Sequence, residues 1–284
     1  MKFLRKNSKR PTSNAIHNLR TSTRGLETTF ITVNLATKRK VKRLLRDLAR
    51  VRKRAGKVRD MDVLTADTLA VRLDGEQDCL VQLVEYLGAE RNKYAKKLRF
   101  EIEARRPQLR RNLNRVSKRL TSRLKQVENN PAKSDAVPTT MAKAIRLASD
   151  LKSPVHLNKT NLHPYRLKVK ELRNVLQLSD HAGNEEFLEK LGEVKDAIGE
   201  WHDWAELVSI AEQLLDHGKS CKLIRDLTLT SQSKYEHALS VTGQMRRNYL
   251  QGVGTSRKTR YAYKRLLSTP VLEARPRSLN LEDV

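Results

Sequence analysis

Residues 15–30 read AIHNLRTSTRGLETTF. Ile16, Leu19, Leu26 and Phe30 recur at the spacing of one helix face. His17, Arg20 and Arg24 recur beside them, spanning about 60° of helix surface at about 100° per residue. Pro11 precedes Thr12, Ser13 and Asn14, whose side-chain oxygens suit a helix start. A helix is therefore predicted over 12–34, with basic groups at the border between core and water. Charge at such a border acts more strongly than in open solvent.

The same pattern returns later in the chain. Residues 161–173 read NLHPYRLKVKELR, and an offset of 146 places His17 on His163, Arg20 on Arg166, Arg24 on Lys170 and Leu26 on Leu172. On this second helix His163, Arg166, Lys170 and Arg173 span about 80°. A second block follows each first block. LARVRKRAGKVRDMDVL (48–64) aligns with LGEVKDAIGEWHDWAEL (191–207) at an offset of 143. Leu48, Val51, Arg52, Gly56 and Asp60 fall on Leu191, Val194, Lys195, Gly199 and Asp203. Two blocks in the same order imply an internal duplication.

Working outward, the rest of the chain also reads as helix. Over 38–59, Val41, Leu44, Leu48 and Val51 make a narrow apolar stripe, while twelve of 22 positions are Lys or Arg and Asp47 is the single acid. Gly56 is expected to interrupt this helix. Further helices are expected over 76–105, 107–128, 141–152, 161–180, 184–217, 219–242 and 244–267, with Pro107 starting or kinking its own. The predicted organisation is a first half over 1–128, a linker over 129–140 (NNPAKSDAVPTT), a second half over 141–268 and a loose tail over 269–284. The expected fold is all-α. Two antiparallel four-helix bundles would be related by a pseudo-twofold axis, with a basic central cleft.

Composition narrows the function classes. Eleven glycines and eight prolines in 284 residues disfavour a turn-rich β-protein. The formal net charge is +26 and the pI about 10.3, values that call for a polyanionic partner. Cys79 and Cys221 show no metal spacing and read as reduced thiols of a cytoplasmic protein. No secretory leader or membrane-spanning apolar run is read, and no metal or cofactor is expected. No Walker loop, His-Glu-x-x-His helix or nucleophile elbow is present, which favours a binding role without catalysis.

Guanidinium groups hold phosphate through paired hydrogen bonds, and lysines add point charges. A histidine gains charge when an anion binds beside it. Acids within such a site are costly. Asp60, Asp62 and Asp203 are therefore expected either to cap a helix after the glycine or to pair with and orient a cation.

These blocks resemble the CHAD family, the conserved histidine α-helical domain. IHNLRTSTRGLE and GKVRDMDVL look like its His-x-x-Arg-x-x-x-Arg helix and its Gly-x-x-Arg-Asp-x-Asp-Val-Leu segment; LHPYRLKVKELR and IGEWHDW look like the second copies. The resemblance spans about residues 10–268. It implies two related bundles and non-catalytic binding of inorganic polyphosphate, with association to polyphosphate granules. Carried over by position, the contacts it implies are His17, Arg20, Arg24, His163, Arg166 and Lys170. Lys42, Arg46, Arg52, Arg59, Arg173 and Lys195 extend the set. Thr23 stands where the family commonly has a basic residue, and Glu27 stands where the second copy has Arg173. EIEARR (101–106) superficially mimics the Glu-x-Glu-x-Lys strand of the triphosphatase domain fused to some CHAD proteins, but it lies in a helical region.

The alternative reading is a basic helical nucleic-acid-binding protein, which the charge suits equally. Aromatic residues make up only 5%, poor for base stacking. A third reading, phosphohistidine chemistry or polyphosphate hydrolysis at His17 or His163, lacks an activating carboxylate at local spacing.

Overall fold

The computed structural model describes residues 11–32, 38–71, 77–129, 136–178, 185–216 and 221–250. They form seven α-helices: α1 (Ser13–Thr32), α2 (Arg39–Ala70), α3 (Gln77–Asn129), α4 (Ala136–Lys152), α5 (Leu162–Leu178), α6 (Glu185–Leu214) and α7 (Lys222–Met245). A π-helical turn, Arg246–Leu250, continues α7. No strand occurs among the described residues. The chain divides into two compact units between Ala136 and Val137.

In the first unit α2 lies antiparallel to both neighbours. Arg105 of α3 meets Asp47 at 2.9 Å, and Arg91 meets Asp62 at 2.5 Å, which sets the α2–α3 register. Arg91 also donates to the Pro11 carbonyl, tying the chain that leads into α1. The core joins Ile16, Leu19 and Phe30 to Leu44, Leu48, Val51 and Val58, with Leu98, Ile102 and Leu109 from α3. Asp47, the lone acid of the basic run, is 4% exposed and answers a specific cation rather than the surrounding surface.

In the second unit Leu162, Tyr165, Val169 and Leu172 of α5 pack with Leu191, Val194, Ile198 and Trp201 of α6, closed by α4 and by Ala238 and Met245. Arg246, itself buried, donates to the Lys152 carbonyl at the end of α4.

Burial follows the sequence offsets. Ile16 and Leu162, Leu19 and Tyr165, and Phe30 and Leu176 are buried pairs at an offset of 146. Leu48 and Leu191, Val51 and Val194, Ala55 and Ile198, Val58 and Trp201, and Leu64 and Leu207 are buried pairs at 143.

Several boundaries differ from the sequence reading. α2 runs unbroken through Gly56, as α6 does through Gly199 within the single helix expected over 184–217. A helical glycine costs about 1 kcal/mol, too little to break a helix whose other face is packed. α3 likewise runs through Pro107, leaving three helices rather than four among the described residues of this unit. Pro107 is exposed, so water can serve the Glu103 carbonyl that its missing N–H leaves, while Ile102 and Leu109 hold the helix on either side. α4 begins at Ala136, making the end of the expected linker helical. The helix expected over 244–267 is described only to Leu250. Its remainder and the tail 269–284 lie outside the described residues, as does 130–135 of the linker.

Candidate functional site

The second unit gathers its charged set where α5 crosses α6. Asn158 and Asn161 build the turn that aims α5. The Asn158 side-chain oxygen accepts from the Thr160 and Asn161 amides, and the Asn161 oxygen accepts from the Asn158 amide. The helix then presents His163 in its first turn. The His163 ring lies against His202 of α6, centroids 4.3 Å apart, and Trp201 meets His202 edge-on. Asp203 stands 3.9 Å from His202. His163 Nδ1 is buried without a hydrogen-bond partner. Burial holds this imidazole below its ordinary pKa; His202, Arg166 and Lys170 push the same way, while Asp203 opposes them.

Arg166 and Arg173 turn inward. Arg166 Nε donates to the Lys195 carbonyl at 2.9 Å, and Arg173 Nε reaches the Leu188 carbonyl at 3.4 Å. Each guanidinium lies over a glycine. A Cβ on Gly199 would sit 2.9 Å from Arg166 Cζ, and one on Gly192 would sit 3.6 Å from Arg173 Nε. Two arginines seven residues apart thus cross two glycines seven residues apart, running in opposite directions. Arg166 acts on His163 while bonding the α6 backbone, whereas Arg173 bonds that backbone about 15 Å further along α5. Lys195 pairs with its neighbour Asp196 at 2.7 Å.

The first unit differs at equivalent positions. His17 is exposed, and Arg20 and Arg24 are half-buried. Arg20 stands 3.8 Å from Asp60. Glu27 meets Arg52 at 2.5 Å, and Arg59 donates to Ser13 Oγ at 2.8 Å. Gly56 has nothing over it, unlike Gly199. Arg20, Arg52 and Arg59 therefore gather along the α1–α2 seam. Lys42 and Arg46 are exposed, on the wheel about 80–120° away from Arg52. Asp60, Asp62 and Asp203 all lie within helices, so none caps one; each faces a cation or an imidazole instead. Thr23 is 3% exposed and donates to the Leu19 carbonyl, so it belongs to the core and not to the basic wall.

Reading the residues alone did not single out His202, Gly192 or the carbonyl bonds of Arg166 and Arg173. The signal was present: the 143-residue offset sets His202 on Arg59, a position already singled out.

The CHAD domain family model matches residues 4–212. The chain belongs to the CHAD family. The match ends within α6, short of the resemblance read to about residue 268. No curated protein and no solved structure matches the chain. Among the described residues of this CHAD protein, no helix is long and apolar enough to cross a membrane. No group of three or more His, Cys, Asp or Glu among them is placed to hold a metal ion.

Proposed function

We propose that this CHAD protein binds inorganic polyphosphate without catalysing its cleavage. The observation that carries this reading is the cluster of His163, His202, Arg166 and Lys170, in which two imidazoles and two permanent cations share one partly buried corner. Such a corner disfavours further positive charge when empty and accepts it when a polyanion arrives. The matching burial registers support an internal duplication, with His17, Arg20, Arg24, Arg52 and Arg59 as the first unit's counterpart. Lys42, Arg46, Lys170, Arg173 and Lys195 extend the proposed contact set, and Asp60, Asp62 and Asp203 orient its cations. The same proposal has one polyphosphate chain contact both halves, in a cleft lined by Lys, Arg and His. Location in the cytoplasm, at polyphosphate granules, belongs to this reading.

Calorimetric titration of long-chain polyphosphate in two buffers of different ionisation enthalpy tests it. Saturable binding with net proton uptake near neutral pH is expected, and no phosphate release on long incubation with Mg²⁺. Absence of saturable binding refutes the function; steady phosphate release refutes the non-catalytic assignment.

A further inference from the structure

The solvent face of α2 carries a second concentration of charge. Arg39, Arg43, Arg46, Arg50, Arg54 and Lys57 are all exposed. At about 100° and 1.5 Å per residue they fall within an arc of about 80° and along about 27 Å of helix. The buried residues Leu44, Leu48, Val51 and Ala55 occupy the opposite side, so this stripe faces away from the unit's core. Among the described residues, no ion pair joins any of the six.

α3 continues the same surface chemistry. Residues 104–127 contain nine Lys or Arg and no acid. By the register of the Asp47–Arg105 and Asp62–Arg91 pairs, about residues 104–113 of α3 lie beside the first half of α2 and the rest runs on past its start. Arg111, Arg115 and Arg119 are exposed along this stretch of α3. The result is one strongly basic end of a helical hairpin, made mostly of arginine.

We infer that this outer face binds the phosphate backbone of duplex nucleic acid without reading its sequence. The stripe is convex and long, spanning about eight base pairs of duplex at 3.4 Å each. Arginine provides the bidentate phosphate grip. The stripe has no aromatic residue on which single-stranded bases could stack. It also has no apolar residue to anchor in a lipid surface. The polyphosphate reading rests on the α1–α2 and α5–α6 seams and shares Arg46 alone with this stripe, so the variants below leave Arg46 in place.

The test uses the full chain and a fluorescent mixed-sequence DNA duplex, with anisotropy read between about 50 and 200 mM salt. Six phosphate contacts predict a log–log salt slope of about −5, so affinity falls on the order of a thousandfold over that range. Arg43→Gln/Arg50→Gln/Arg54→Gln should make the slope shallower by about 2.7. Polyphosphate binding by the same variant should stay within twofold of wild type. Arg111→Gln/Arg115→Gln, on the other helix, should weaken duplex binding in the same direction. Circular dichroism confirms that each variant is folded; glutamine keeps helix propensity at exposed sites. The inference is overturned by wild-type duplex affinity in both folded variants, or by no duplex binding at the lowest salt. A parallel loss of polyphosphate binding, or tighter binding to phosphatidylserine vesicles than to duplex, also overturns it.

Discussion

Replacing Gly199 by alanine tests whether Arg166 seats on α6 as described. In an exposed helix interior this change stabilises by up to about 1 kcal/mol, because alanine loses less conformational freedom. At Gly199 the new methyl would sit 2.9 Å from Arg166 Cζ and 3.2 Å from Nε. The guanidinium would have to leave, taking its bond to the Lys195 carbonyl with it. A charged hydrogen bond contributes about 1.5–3 kcal/mol; at a half-buried site about 1–2 is reasonable. Gly199→Ala should therefore come out between neutral and about 1 kcal/mol destabilising. Gly56→Ala, with nothing within 4 Å, should gain stability. Both tryptophans, Trp201 and Trp204, lie in α6, so their fluorescence in urea reports the second unit. Hydrogen exchange follows the first. With Arg166→Met already in place, Gly199→Ala should regain most of the helix-propensity benefit. An equal gain at Gly56 and Gly199 with Arg166 present would refute the seating.

Other outcomes follow from the same structure. The depressed pKa of His163 means that the unfolded chain binds more protons than the folded one below pH 6.5. The second unit should thus lose stability as pH falls from that value toward the folded pKa, and His163→Gln should flatten the dependence in urea melts. Arg105→Met leaves the buried Asp47 carboxylate without its cation, which should cost the first unit on the order of 3 kcal/mol. Adding Asp47→Asn should restore much of that loss in hydrogen exchange. Glu27→Gln removes the partner of Arg52 and should tighten polyphosphate binding about two- to fivefold, on the order of 0.5–1 kcal/mol for a half-exposed pair. Unchanged affinity would remove Arg52 from the site.

The helical periods of α1, α2, α5 and α6 were legible because each buries one apolar stripe, and stripes survive in sequence. The continuity of the helices through Gly56 and Pro107 was not. Each carries a real local penalty that argues for a break, yet packing on both sides of the residue outweighs it. At Gly199 the missing side chain serves a different end, since it admits a guanidinium from α5. Thr23 looked like a gap in a basic wall because alignment compares residue types. Its burial beside Leu19 shows that the position belongs to the core. His202 escaped notice because one histidine within a helix has no periodicity of its own. Its match to Arg59 at the 143-residue offset marked the position, and the ring of His163 against it gives it meaning.

Equilibrium binding of long-chain polyphosphate to the full chain tests the central claim most directly. The comparison protein carries His17→Asn, Arg24→Gln, His163→Asn and Lys170→Gln, and keeps Arg166 because that side chain also bonds the α6 backbone. The account predicts a folded variant with binding weakened about a hundredfold or more, as expected for losing several charge-assisted contacts. Equal affinity in both folded proteins would contradict it.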